Sequence, residues 1–338
     1  QPVAEDRWTH APWEPTLYTR SMEEGGEPRA LPGDGEEVDL EWRLYARSAG
    51  DDKAPIPALL AALDALRGAD LPLTSNLVFL FDGEEEAGST HLPQFIERYG
   101  DRMDADIWLF CDGPVHQSGR PQVALGVRGV TGLEVTVYGA TRNLHSGHYG
   151  NWVPQPAELL AELVAGMKDP VSGEVRIEGF YDTVEPVGPE EREALDALPA
   201  YDEELMRELG IRWHEGPSEE SLPERLLLPS LTVRGFSSGN VGDEARNIIP
   251  NSATASLGVR LVAGNDPDHM LDLVEAHIRD RGYHIVRDDP DMETRLAHDR
   301  IARVTRGGGY AAARSSLDTP AMASVIGGLV IGNFSGIS

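Results

Sequence analysis

Two short apolar runs, "NLVFLF" at 76–81 and "ADIWLF" at 105–110, constrain the fold of this chain more than any other feature. A strand with one wet face alternates apolar and polar residues, whereas a strand covered on both faces is apolar almost throughout. Between the runs, "STHLPQFIERYG" reads as a helix. Before them, "APIPALLAALDALRGAD" sets Ile56, Leu59, Leu60, Leu63 and Leu66 at helical spacing, behind prolines suited to a helix entry. Alternating helices and buried strands predict an α/β domain whose mostly parallel sheet is flanked by helices.

The pattern changes near residue 127. "GVTGLEVTVYG" alternates as a half-exposed strand does, and "QPAELLAELVAGMK" is an amphipathic helix. Acidic helical pieces follow around 189–209, then strands in "SLTVRGF" and "ATASLGVRLV", a helix in "PDHMLDLVEAHIRDRG" and a strand in "YHIVR". Strands covered on one face by two helices make a compact α+β (ferredoxin-like) domain inserted into the first. The tail from "AAARSSLDTP" turns back toward the α/β style. The expected division is therefore 1–126 with 306–338 as one domain and 127–305 as the insert, with 23–42 a solvated loop or hairpin.

Composition narrows the partners. The net charge is −28, and Lys53 and Lys168 are the only lysines. Such a surface repels nucleic acid and anionic membranes, which excludes both. No apolar run reaches the roughly eighteen residues of a membrane span. A single cysteine, Cys111, excludes an internal disulfide. No signal peptide is visible, so the compartment stays open, with the cytoplasm favoured.

Acidic residues close three segments: Asp51 and Asp52 in "SAGDDK", Glu84 to Glu86 in "DGEEEAGS", and Asp112 in "LFCDGP". In open parallel sheets, the loops beyond the strand C-termini converge on one crevice. Carboxylates gathered there repel one another unless a cation compensates, and a divalent metal would do so. The plainer alternative is three unrelated solvated turns, since Asp and Glu are common in loops.

The order of the motifs separates these alternatives. "SAGDDK", "DGEEEAGS", "CDGP", "NLHSGHYGNWVPQP" and "RNIIP" with a later arginine resemble the zinc-dependent carboxypeptidase and deacylase family. That family includes glutamate carboxypeptidase, carnosinase-type dipeptidases, acetylornithine deacetylase and succinyl-diaminopimelate desuccinylase. The resemblance implies two zinc ions per subunit, with cobalt or manganese as alternatives. It makes Asp51 the carboxylate bridging them, with Glu86 and Asp112 as further ligands. Asp52 would shape its loop, often through a cis peptide, and Ala54 stands where the family usually has glycine. Glu85 would be the general base, leaving Glu84 spare.

In the same resemblance, His145 reaches the partner subunit's active site and polarises the scissile carbonyl. Asn247 and Arg260 form a substrate clamp. A guanidinium suits a terminal carboxylate, and an amide can support an oxyanion. Gly147 and Gly150 would supply unusual torsions. His148, His10, His91, His116 and His298 read as surface residues.

Two histidine ligands of the family pattern are missing. One is expected just before Gln1, the other some tens of residues beyond Ser338, with "GGLVIGNFSG" a candidate remnant of the glycine-rich loop that precedes it. A fragment of a longer enzyme, poorly stable alone, is the corresponding expectation. The function expected is zinc-dependent hydrolysis of a dipeptide or C-terminal peptide bond by a homodimer joined through the inserted lid. An N-acyl amino acid deacylase is the alternative within the family. A metal-free dimerisation or ligand-binding module is the alternative from another class.

Overall fold

The computed structural model describes Val3, residues 7–113 and residues 122–334, the last six of these by backbone alone. The chain divides into two compact units, Gln1–Pro114 and Val115–Ser338.

In the first unit, strands β1 (Thr16–Tyr18), β2 (Pro28–Arg29) and β3 (Arg43–Tyr45) form an antiparallel sheet in the order β2-β1-β3. Leu17 and Tyr18 are buried there. The guanidinium of Arg29 lies 3.4 Å from the ring centre of Trp42, pinning the hairpin-like excursion between them. Helix α1 (Pro55–Gly68) forms where the periodicity places it. Ile56, Leu59, Leu63 and Leu66 are half-buried and Leu60 is exposed, so the stripe covers a narrower face than its spacing suggests. Helix α2 (Leu92–Tyr99) also forms.

The two apolar runs behave differently. Neither is a strand among the described residues, and Phe81 and Phe110 are 64% and 84% exposed. A parallel strand exists only through ladder bonds to a neighbour, and the described residues give these segments none. Their apolar character is that of buried strands; their partners are what is lacking.

The second unit holds the larger core. Its strands are β4 (Gly126–Val127), β5 (Gly129–Tyr138) and β6 (Leu144–His145), followed by helices α3 (Ser146–Tyr149) and α4 (Pro156–Ala165). Three short helices come next: α5 (Pro189–Asp196), α6 (Asp202–Glu208) and α7 (Leu222–Leu226). Then follow β7 (Ser230–Ser237), β8 (Ile248–Ile249), β9 (Ser252–Leu261), α8 (Pro267–Asp280), β10 (His284–Val286), α9 (Met292–Ala297) and β11 (Ile301–Arg306). The main sheet runs β10-β11-β5-β9-β7, parallel only between β10 and β11.

Alternation decides which face is covered. Along β9, Ala253, Ala255, Leu257, Val259 and Leu261 are buried, while Arg260 on the opposite face is exposed. Leu160 and Leu163 of α4, with Met270, Leu271, Val274 and Ile278 of α8, complete the core against them. Asp266 caps α8 by accepting from the His269 N–H at 2.8 Å. Glu275 of α8 is 1% exposed and bonded to Arg279, Arg287 and Arg306 at 2.7–2.8 Å. The tail forms β12 (Ala313–Arg314), paired with β4, and helix α10 (Pro320–Phe334). "GGLVIG" is thus helical here rather than a glycine-rich loop. Among the described residues, no helix is long and apolar enough to cross a membrane.

Candidate active site

The Asp51 loop follows β3 through Ser48, a non-glycine residue at φ 62°. The Lys53 N–H closes it onto the Ser48 carbonyl at 3.2 Å. The Asp51–Asp52 peptide is cis, and both carboxylates are exposed.

The glutamate run is a single 3-10 turn over Glu85–Ala87. Glu84 stands before it and Gly88 closes it at φ 86°, a left-handed conformation that costs glycine little. Asp82 organises the turn: its Oδ1 accepts from the Glu84 N–H at 2.8 Å and its Oδ2 from the Ser89 hydroxyl at 2.6 Å. The motif reading passed over Asp82, although an Asp-Gly pair is a turn signal in its own right. Because the turn rotates successive residues, the three glutamates diverge. Glu84 binds His91 Nδ1 at 2.8 Å, a contact between two exposed side chains. Glu86 lies 3.9 Å from the Arg47 guanidinium. Arg47 was not foreseen, and it supplies positive charge beside the glutamate run.

The three acidic segments lie within reach of one another's charge. Burial, then the charge of Asp112, then those of Glu86, Asp51 and Asp82, push the Glu85 carboxyl above its ordinary range. Asp52 is raised as well, by burial first and then by Asp112 and Asp51. Three solvated turns pointing apart would not couple in this way. The donors gathered are carboxylate oxygens, which suit a divalent cation in charge. Among the described residues, however, no three His, Cys, Asp or Glu side chains stand close enough together to hold an ion. The fit is therefore one of charge and donor type, without a complete ligand set.

In the second unit, β6 pairs with β8, setting His145 opposite Ile248. The carbonyl of Asn247 accepts from the Ser146 N–H at 3.0 Å, so Asn247 and His145 share one corner. The His145 ring is exposed, and its Nδ1 accepts from the Gly147 N–H at 3.1 Å. An acceptor at Nδ1 leaves the proton on Nε2, which is then the donor. Gly147 and Gly150 do not adopt left-handed torsions. They are needed for space: a Cβ at Gly147 would meet the His145 ring at 3.0 Å, and one at Gly150 the Ser146 carbonyl at 2.7 Å.

Arg260 stands apart from that corner. It lies opposite Val130 and Ser230, whereas His145 and Asn247 lie beyond the other end of β9, at Ser252. Eight residues of strand separate the ends, about 26 Å at the usual rise. Arg260 also adds to the burial that lowers the Arg128 guanidinium's proton affinity. Arg260 thus lies toward one end of β9, and Asn247 precedes the other.

His298 is exposed, as expected of a surface residue, and His10 is half-buried; each has a ring or hydrogen-bond partner. His10 bonds the Tyr18 hydroxyl, and His298 stacks on His284 at 3.6 Å. His116 lies outside the described residues.

Residues 125–286 match the family model of the M20 peptidase dimerisation domain. The chain is 28% identical to the Cys-Gly metallodipeptidase dug1 of Schizosaccharomyces pombe, over 71% of this chain and 51% of that protein. It is 27% identical to the Beta-Ala-His dipeptidase of Homo sapiens, over 72% of this chain and 48% of that one. Among solved structures it is similar to the M20 family metallo-carboxypeptidase Sso-CP2 from Sulfolobus solfataricus. That match has 28% identity and a TM-score of 0.59, covering 72% of this chain and 59% of the other. The chain spans about half the length of the curated relatives it matches. These likenesses bear out the family resemblance and the α/β class with its inserted domain.

Proposed function

We propose that this relative of the M20 metallopeptidases, which carries their dimerisation domain, hydrolyses dipeptides with the help of divalent cations held by Asp51, Glu86 and Asp112. The observation that carries the reading is the convergence of those carboxylates around Glu85, on a turn fixed by Asp82. A divalent cation supplies Lewis acidity, which makes coordinated water more acidic and polarises a carbonyl. Zinc is the first choice, with cobalt and manganese as alternatives. Glu85 accepts the proton of the attacking water and returns it to the leaving amine. His145 donates from Nε2 to the carbonyl oxygen as negative charge builds there. Arg260 receives the substrate's terminal carboxylate, and Asn247 supports the same carbonyl. In this reading the catalytic domain spans 1–126 with 306–338, and the lid spans 127–305.

Dipeptides, N-acetyl amino acids and N-succinyl amino acids at equal concentration test the substrate class. Dipeptides are expected to turn over fastest. A chelator should abolish the rate, and added zinc or manganese should restore it. Faster N-acyl cleavage would make the protein a deacylase. A rate indifferent to chelation would sink the metal assignment.

The separation of Asn247 from Arg260 along β9 supports a clamp assembled from two copies. Asn247→Ala and Arg260→Ala, each nearly inactive alone, are dissociated, mixed in equal amounts and reassociated. Half the dimers are then mixed, with one intact site in two, so about a quarter of native activity should return. No recovery would place the clamp within one chain, or assign one of its members wrongly.

A further inference from the structure

We propose that His148 is a positioning residue for His145. The inference rests on the reading of His145 as the group that polarises the scissile carbonyl, and it assigns His148 a role beyond the surface. The Gly147 N–H bond to Nδ1, at 3.1 Å, fixes which nitrogen carries the proton. One hydrogen bond at one ring atom leaves the plane of the imidazole free to tilt about it. The ring is also exposed, so no surrounding core restrains that tilt.

His148 supplies the restraint. It lies three residues on, on the same face of the α3 turn, where side chains become neighbours. Its ring centre is 4.5 Å from that of His145, with the planes 27° apart. His148 is itself braced by Tyr149, whose ring stands at 67° to it with centres 6.5 Å apart. The Gly150 N–H bond to the Ser146 carbonyl, at 2.8 Å, closes the turn carrying all three rings. His145 is thus held at its edge by a backbone donor and on its face by a second ring. The Nε2–H is the group left to act. Offset stacking of flat rings, rather than any proton on His148, is the property required, so another aromatic side chain can substitute.

Four variants test this: His148→Ala, His148→Phe, His145→Ala and the double alanine variant. For His148→Ala, kcat should fall about tenfold with KM nearly unchanged, the signature of a group misplaced in the transition state. His148→Phe should recover most of that loss. His145→Ala should cost about a hundredfold, and adding His148→Ala to it should cost no more, because the two act as one unit. An independent reading comes from the ring nitrogens of His145 by NMR in the uncut protein. A single tautomer protonated at Nε2 is expected throughout, since the Gly147 bond sets it, with sharp His145 ring signals in the native chain and in His148→Phe and signals broadened by ring tilting in His148→Ala. Unchanged nitrogen signals in His148→Ala, or an equal loss in the presence and absence of His145, would overturn the proposal. If His145→Ala leaves kcat intact, the catalytic reading of His145 falls by itself, and the nitrogen signals alone decide the role of His148.

Discussion

Glu85→Gln is expected to lower kcat on a dipeptide by about a thousandfold, with KM and bound metal little changed. Glutamine keeps the shape and length of the side chain and removes only its capacity to take a proton. The 3-10 turn is held by Asp82, by the Ala87 N–H to the Glu84 carbonyl at 2.8 Å and by Gly88, none of which involves the Glu85 carboxylate. The fold should therefore be indifferent to the change. Removing this one of several crowded negative charges also relieves the repulsion it exchanges with Asp112, Glu86, Asp51 and Asp82. The two neighbours provide the controls. Glu86→Gln should act through metal content, read by elemental analysis, since Glu86 is assigned as a ligand. Glu84→Gln should have a mild effect, traceable to the weakened His91 contact. Kinetics at matched metal occupancy separate the three. A Glu85→Gln enzyme retaining a tenth of native kcat, or a Glu84 variant equally impaired, would show that the glutamates have been assigned in the wrong order.

Glu84 illustrates how far the sequence can be read and where it stops. Local physics was legible: the helical stripe of α1, the entry of α2, the alternation of β5 and β9, and the change of style near 127 all survive in the structure. Those signals depend on a residue and its near neighbours in sequence. What was missed depends on distant partners. The strand β11, central to the second sheet beside β5, is six residues long and carries two arginines, too weak a pattern to stand alone. The apolar runs at 76–81 and 105–110 carry the composition of buried strands, yet composition does not supply the neighbour that turns a segment into a strand.

The same limit governs the site. Motif spacing gathered Asp51, Glu85, Glu86 and Asp112, and the charges of Asp112, Glu86 and Asp51 all act on Glu85. Side-chain partners such as Arg47 for Glu86 and His91 for Glu84 come from contacts that no spacing encodes. Asn247 and Arg260 illustrate the same limit. Thirteen positions apart in sequence says nothing of distance until most of the interval is known to be the extended strand β9.

Glu275→Ala is expected to destabilise the second unit by about 3–5 kcal/mol, the largest stability effect foreseen for any single substitution here. Its carboxylate is buried against the sheet and receives bonds from Arg279, Arg287 and Arg306. Burial alone would raise the carboxyl, but the bonds from Arg287 and Arg306 outweigh it and hold Glu275 down at about 2. A native value below the ordinary 4.5 means that the folded chain favours the ionised form. That preference stabilises the fold fully above about pH 4.5 and is lost as the pH falls toward about 2. The shift corresponds to about 3 kcal/mol, which agrees in size with the cost of removing one partner from a buried ionic cluster. Alanine would leave Arg287 with the Val304 carbonyl in place of the carboxylate, and Arg306 with Asp272 in place of the pair of carboxylates. Glu275→Gln should be milder, since an amide oxygen still accepts, and its unfolding midpoint should lose most of its dependence on pH between about 2 and 4.5. Urea denaturation of the native chain and both variants, followed across that range, measures this directly. Parallel pH profiles for the native chain and Glu275→Gln would mean that some other carboxylate controls the acid stability of the unit.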